Sequence, residues 1–121
     1  MYIIDSTILF IWDPDKNRKN IAKHGIDFAD AKKLFDQDFI VGVDVGEYTE
    51  ERLLAYGYLQ GQPLVVVYTQ PASHIYRLIS ARLATVREEQ HLLLNLNKEK
   101  RRQKRIFRKT RKDPYKIKEF E

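Results

Sequence analysis

Four β-rich segments joined by short links limit the fold of this chain more than any other feature. They are rich in Val, Ile, Leu and Tyr, which favour strands, and they span 39–43, 52–59, 63–69 and 75–82. Gly46, Gly61 and the residues 70–73 separate them as turn signals. Strands that follow one another over short links pair as antiparallel hairpins. The most continuous apolar run, 64–68, is expected to be a central strand.

Two helices are predicted before these strands. A short apolar run at 8–12 indicates a first buried strand, and Asp13-Pro14 then starts a helix. Asp13 is suited to cap the free N–H groups, and Pro14 loses no bond at the first helical position. Gly25 is expected to end this helix in a left-handed conformation. Asp27 then caps a second helix.

A third helix is predicted after the strands. Thr85 and Glu88 have the spacing of a capping box, and leucines follow within two turns. The order of strand, two helices, four strands and helix predicts an α+β fold. We expect an antiparallel sheet of four to five strands, with two N-terminal helices and the C-terminal helix packed on one face.

Composition excludes several classes of protein. A chain of 121 residues fits one domain, and its lack of cysteine excludes a disulfide framework, a thiolate zinc site and a cysteine nucleophile. No apolar run approaches the about 20 residues that span a bilayer. The first residues lack the basic start and cleavage site of a signal peptide. We therefore expect a cytoplasmic protein with no membrane contact. The sequence contains no phosphate-binding loop and no metal-ligand set, so we expect no metal ion and no cofactor.

Positive charge is concentrated at the C-terminus. Residues 98–121 contain twelve Lys and Arg against four Asp and Glu, whereas residues 1–97 contain ten against thirteen. We therefore divide the chain into a domain at 1–97 and a basic helix or tail at 98–121. Such a block suits an anionic partner, and Arg101, Arg102 and Arg105 are candidate RNA contacts. A disordered solubilising end and docking on an acidic protein partner are the alternatives.

A series of motifs resembles the BrnT family. The first is Phe10-x-Trp-Asp-Pro-x-Lys-Asn-x-x-Asn-Ile-x-Lys-His-Gly-Ile-x-Phe-x-Asp-Ala. Glu51-Arg52, LVVVYT at 64–69, and RLISAR at 77–82 followed by Ala84-Thr85 come later in the same order. One departure is Glu89, where the family commonly has a cation. The resemblance covers about residues 8–92.

This resemblance implies a fold and a function. BrnT proteins are toxins of type II toxin–antitoxin pairs with a RelE-like fold. The resemblance implies a metal-independent endoribonuclease that cleaves RNA and arrests translation. It also implies a BrnA-like antitoxin with a ribbon-helix-helix domain, through which the complex would contact operator DNA. The matching motif positions are Lys16, Lys23, His24, Glu51, Arg52, Arg77 and Arg82.

Cleavage of RNA without a metal needs a base for the 2′-OH, cations for the phosphoryl oxygens and an acid for the leaving group. Arg77 and Arg82 are the candidate cations, because guanidinium stays charged and binds phosphate through two bonds. Alternation puts these two positions on opposite faces of a strand, so one site needs a bulge or a strand end between them. The alternative is a pair of edge arginines in salt bridges with Asp13 or Glu51.

The remaining candidate residues each have a structural alternative to a functional role. His24 is a candidate for proton exchange, because histidine changes protonation nearest neutral pH, or it merely closes its helix. Glu51 is a candidate base and Arg52 a candidate phosphate ligand, although neighbours on a strand face opposite ways and a surface ion pair is the alternative. The candidate RNA contacts in the domain are Lys16, Lys19, Lys23 and Tyr68. Lysines are otherwise solvated, and Tyr68 is otherwise core.

Two hypotheses about the function therefore remain open. The first is a ribonuclease toxin. The second is a non-catalytic module that keeps the fold and binds nucleic acid or an antitoxin.

Overall fold

One five-stranded sheet organises the computed structural model, which describes residues 7–47 and 49–98. The strands are β1 (Leu9–Ile11), β2 (Phe39–Asp44), β3 (Arg52–Leu59), β4 (Gln62–Ala72) and β5 (Ile75–Leu83). Their order in the sheet is β1-β5-β4-β3-β2, so β4 is central, as the apolar run at 64–68 predicts. The tail beyond residue 98 lies outside the described residues.

The sheet is mixed, because β1 pairs in parallel with β5. Strands β2 to β5 form the predicted antiparallel hairpins, with Leu53 opposite Tyr68 and Val66 opposite Ala81. The expectation of a wholly antiparallel sheet is wrong for β1, whose Phe10 lies beside Tyr76. Link length fixes the direction of strands that follow each other in the chain. It carries no information about β1, whose partner is the last strand.

The predicted helix caps are confirmed. Helix α1 (Pro14–His24) begins after Asp13, whose side chain accepts a hydrogen bond from the N–H of Asp15. It ends at Gly25, which has φ 73° and belongs to the left-handed region that favours glycine. Helix α2 (Phe28–Ala31) follows, with Asp27 bonded to the N–H of Ala29, and continues as a 3-10 turn.

The third helix, α3 (86–98), starts with the predicted capping box. The Thr85 hydroxyl accepts from the Glu88 N–H at 3.1 Å, and the Glu88 carboxylate accepts from the Thr85 N–H at 2.8 Å.

Helices cover both faces of the sheet rather than one. The main core lies under α1 and α2 and consists of Phe28, Ala31, Leu34, Ala55, Leu64, Val66, Tyr68, Leu78 and Ala81. Helix α3 lies on the opposite face, where Glu89 accepts a hydrogen bond from Tyr58 and His91 contacts the ring of Tyr56. Val65 and Leu92 are fully buried outside the main core. The unbroken apolar run in β4 explains this, because such a strand presents apolar side chains to both faces.

Asn20 of α1 replaces a missing strand beside β5. Strand β1 ends at Ile11, opposite Arg77, so among the described residues no strand borders the rest of β5 on that side. The Asn20 side chain accepts from the Ala81 N–H at 3.1 Å and donates to the Ala81 carbonyl at 2.9 Å. It also donates to the carbonyl of Ile26 at 2.9 Å. One buried amide thus satisfies the edge of β5 and fixes the distance between α1 and the sheet.

The Asn20→Leu substitution tests this contact. It leaves the Ala81 N–H and C=O buried without partners, so the free energy of unfolding should fall by about 3 kcal/mol. Urea unfolding measures the change. The exposed Arg18→Ala substitution on the same helix should shift the midpoint little, and equal midpoints for the wild type and Asn20→Leu would contradict the role of Asn20.

Arg82 joins α3 to β5 through two hydrogen bonds to Glu88, of 2.8 and 3.0 Å. This guanidinium, together with the Thr85 N–H, lowers the pKa of the Glu88 carboxyl from its ordinary 4.5 to about 2. A carboxyl with a lowered pKa stabilises the folded protein above its unfolded pKa. The stabilisation is lost as the pH falls from about 4.5 towards 2.

Replacing Glu88 with Gln keeps the size and the capping oxygen and removes the charge. We expect the free energy of unfolding at pH 7 to fall by about 1–2 kcal/mol, a value reduced for partial solvent exposure. Unfolding curves for the wild type and Glu88→Gln should converge near pH 2. The exposed Glu47→Gln is the matched control, and a gap that is constant between pH 7 and pH 2 would count against the ion pair.

Candidate functional site

An extra residue in β5 decides which face its arginines occupy. Val67 lies opposite Ser80 and Tyr68 opposite Leu78, so Ile79 is a bulge. Leu78 and Ala81 both face the main core although they are three residues apart. Arg77 and Arg82, which alternate with those core residues, therefore both face the side of the sheet that carries α3. The bulge that the sequence argument required is present.

A cleft lies between α1 and the bulge. It has a volume of about 210 Å³ and is lined by Lys16, Lys19, Asn20, Lys23, His24, Ile79 and Ser80. The helical residues follow one stripe of α1, since positions 16, 20 and 23 lie about one turn apart. Asn20 holds this stripe against β5 through its bonds to Ala81. The lysines and His24 of the sequence prediction thus lie together.

The cleft is strongly positive. Its three lysines have no ion pair within the described residues, and no carboxylate lines it. Arg18, on another side of α1, pairs instead with the exposed Asp15. His24 lies at the end of α1 and is half-buried. Three ammonium groups beside a helical histidine form a surface that attracts phosphate.

The two arginines have different surroundings. Arg82 is fixed by Glu88 in two bonds, which raise the pKa of its guanidinium further. Arg77 forms a single ion pair of 2.9 Å with Glu50, and its side chain is 41% exposed. Both arginines therefore form salt bridges, as the alternative predicted. The partner of Arg77 is Glu50 and that of Arg82 is Glu88, rather than Asp13 or Glu51. Arg77 is the arginine that a ligand can reach.

Arg52 extends the cationic surface across the sheet. It precedes Leu53, the partner of Tyr68, and so lies beside Thr69, which is paired with Arg77. Alternation with Leu53 puts Arg52 on the same face as Arg77, two strands away at about 10 Å. Glu51 is exposed just before the strand.

Tyr68 does not lie at this surface. It is 2% exposed and packs in the main core between the rings of Phe35 and Tyr76. Burial raises the pKa of its hydroxyl to about 12. The structure thus places Tyr68 where no base can stack on it. Arg101, Arg102 and Arg105 lie outside the described residues.

Sequence reasoning missed several residues of the site. Asn20, which positions the lysine stripe, belongs to the BrnT-like motif but was assigned no role, because its partner Ala81 is distant in the chain. Glu50 and Glu88 were not assigned to the arginines, because such contacts join distant parts of the chain. Thr69 was overlooked as the end of an apolar strand, although its hydroxyl is buried without a hydrogen-bond partner in the described structure.

The described residues also bear on other kinds of site. They include no group of three His, Asp or Glu side chains placed to hold a metal ion. None of their helices is both long and apolar enough to pass through a bilayer. What they do bring together is the group of Lys16, Lys19, Lys23 and His24 on α1, beside Ile79 and Ser80 of β5.

Both a family model and a solved structure are similar to this chain. A family model described as the ribonuclease toxin BrnT of type II toxin–antitoxin systems matches residues 12–88. Among solved structures, the chain is similar to the ribonuclease toxin BrnT of Brucella abortus, at 33% identity and a TM-score of 0.50. That match covers 65% of this chain and 99% of the Brucella chain. No curated protein matches the chain.

The matched region contains both elements of the cleft, the β5 bulge and the Arg82–Glu88 pair. Since it spans more than half of the sequence, the chain belongs to the BrnT family of ribonuclease toxins of type II toxin–antitoxin systems.

Proposed function

We propose that this chain is a metal-independent endoribonuclease that cleaves RNA and thereby arrests translation. The observation that carries the proposal is the β5 bulge. It puts Arg77 on the sheet face at whose edge Ser80 opens into the lysine-lined cleft. We propose that RNA crosses this edge of the sheet, so that the lysines of α1 and Arg77 of β5 contact neighbouring phosphates of one strand.

Arg77 is the proposed ligand of the scissile phosphate. Its ion pair with Glu50 joins side chains that are 41% and 47% exposed, and such surface pairs stabilise a protein by about 0–1 kcal/mol. A phosphate with two charged oxygens can displace Glu50 and bind the guanidinium through two bonds. Arg82 cannot exchange partners so easily, so we assign it a positioning role through α3.

The proton transfers are assigned to His24 and Glu51. Histidine gains and loses a proton near neutral pH, and His24 lines the cleft beside Lys23. Glu51 lies at the start of β3, next to Arg52, and is exposed to substrate. We propose that one of them takes the proton of the 2′-OH and that the other protonates the 5′-oxygen.

The lysines of α1 are the proposed contacts for flanking phosphates. Lys16, Lys19 and Lys23 lack carboxylate partners in the described structure, so binding RNA costs no existing ion pair. We propose that Arg52 extends this track and that Arg101, Arg102 and Arg105 add further phosphate contacts. Each contact releases counterions, so affinity for RNA should fall steeply with salt.

The Arg77→Ala substitution should lower the rate of RNA cleavage in EDTA by about 100- to 1,000-fold, because one charge-stabilising group is removed. Lys23→Ala should weaken RNA binding and reduce its dependence on salt concentration. Gel analysis of a labelled RNA and fluorescence anisotropy measure the two effects. Arg18→Ala is the matched control, because it removes one cation from α1 outside the cleft. Cleavage that Arg77→Ala leaves unchanged would exclude this site.

A non-catalytic binding module is the second candidate. The observation that favours it is that both arginines already have carboxylate partners. In that case the wild type retains RNA in a salt-dependent manner and produces no cut product, with or without added divalent ions.

A type II toxin has an antitoxin partner, and we propose that it is BrnA-like with a ribbon-helix-helix domain. Family membership supports this proposal. We further propose that operator DNA is bound only through the toxin–antitoxin complex. Co-expression of the neighbouring reading frame should then abolish growth arrest by the toxin.

Gel retardation of the promoter DNA provides the second test. The purified complex should shift this DNA, and the chain alone should not shift it at the same concentration. A shift by the chain alone, with equal affinity, would contradict the proposed role of the antitoxin.

A further inference from the structure

Thr69 is the one buried side chain in the described structure whose polar atom has no hydrogen-bond partner. The residue is 1% exposed, and its hydroxyl belongs to the sheet rather than to a loop. Buried hydroxyls are almost always bonded, because an unbonded one loses its bonds to water and gains none in return. An exception of this kind needs an explanation.

The neighbours of Thr69 supply one. Thr69 alternates with the core residue Tyr68, so its side chain lies on the face that carries α3. Its register partner on β5 is Arg77. On β3, Leu53 pairs with Tyr68, so Arg52, the residue before Leu53, lies beside Thr69. Two guanidinium-bearing residues thus flank the hydroxyl, each one strand away at about 4.8 Å.

A carboxylate reaches across this row. Glu50 lies two residues before Arg52 in the chain, yet its carboxylate accepts a hydrogen bond from Arg77, which is two strands further on. The ion pair therefore spans the strand that carries Thr69. Glu50 and Arg77 are both partly exposed, whereas Thr69, on the strand between them, is buried.

We infer that Thr69 and Arg77 together form a binding site for a phosphate group, and that Glu50 occupies the Arg77 guanidinium until RNA binds. This inference rests on the proposed function and names a further ligand group in the same site. When a phosphate displaces the carboxylate, one oxygen accepts from the guanidinium and another accepts from the Thr69 hydroxyl. Binding then satisfies the orphan hydroxyl, so the site favours a tetrahedral anion with several oxygens over a planar carboxylate.

The Thr69→Val substitution removes the hydroxyl and keeps the shape, with Thr69→Ser as the matched variant that keeps the hydroxyl. Affinity for an uncleavable 2′-O-methyl RNA and the rate of cleavage of the corresponding RNA should each fall about 10- to 100-fold in Thr69→Val, because a bond to a charged group is lost. Thr69→Ser should stay within about threefold of the wild type, a difference well below that loss. The urea midpoint of Thr69→Val should equal or exceed that of the wild type.

Three results would overturn the inference. These are a Thr69→Val protein that binds and cleaves like the wild type, equal losses in Thr69→Val and Thr69→Ser, and a Thr69→Val protein less stable than the wild type. The last would show that the hydroxyl has a structural partner.

Glu50 provides a second arm. Glu50→Gln weakens the competing ion pair, so RNA should bind several-fold more tightly than to the wild type. Glu47→Gln makes the same change of charge in the same loop and is the control. Equal gains in both variants would indicate a general charge effect and would contradict the displacement of Glu50.

These outcomes separate the inference from the proposed function. If Arg77→Ala abolishes cleavage and Thr69→Val does not affect it, the ribonuclease assignment stands and the Thr69 site is wrong. If neither the wild type nor any variant cleaves RNA, the affinity for 2′-O-methyl RNA still tests the proposed phosphate contact of Thr69.

Discussion

A single inserted residue in β5, held in place by an amide on α1, determines the geometry of the site. Without Ile79, strict alternation would place Arg77 and Arg82 on opposite faces. Asn20 bonds both backbone groups of Ala81, two residues after the bulge, so the irregular strand keeps a satisfied edge. The same contact sets α1 beside the bulge and creates the cleft. The bulge at Ile79 and the Asn20–Ala81 bonds therefore together determine the packing of α1, the register of β5 and the position of the cleft.

The two ends of the site differ in how firmly their charges are held. At the α3 end, Arg82 and Glu88 form two short bonds, and Glu88 also caps the helix. At the other end, Arg77 forms an exposed pair with Glu50, and its register partner Thr69 has an unsatisfied hydroxyl. A partly buried pair with several bonds maintains the fold, whereas an exposed pair with one bond can exchange its carboxylate for phosphate. This division explains how one strand supplies both a structural and a functional arginine.

Local chemistry made most of the elements predictable. Asp13, Asp27 and Thr85 start helices where their side chains accept backbone N–H groups, and Gly25 ends α1 in the left-handed region. The run at 64–68 is the central strand. The resemblance to the BrnT family also singled out Lys16, Lys23 and His24, which line the cleft beside β5. The identity and order of these residues were sufficient for that prediction, without knowledge of their surroundings.

Local sequence alone predicted the elements, their caps and the antiparallel order of β2 to β5. These follow from contacts between residues close in the chain, where spacing fixes geometry. The folded protein was needed to reveal the parallel position of β1, the side taken by α3, the burial of Tyr68 and the partners of Arg77 and Arg82. Each of these depends on residues far apart in sequence, and their pairing is set by the packing of the whole sheet rather than by any local pattern.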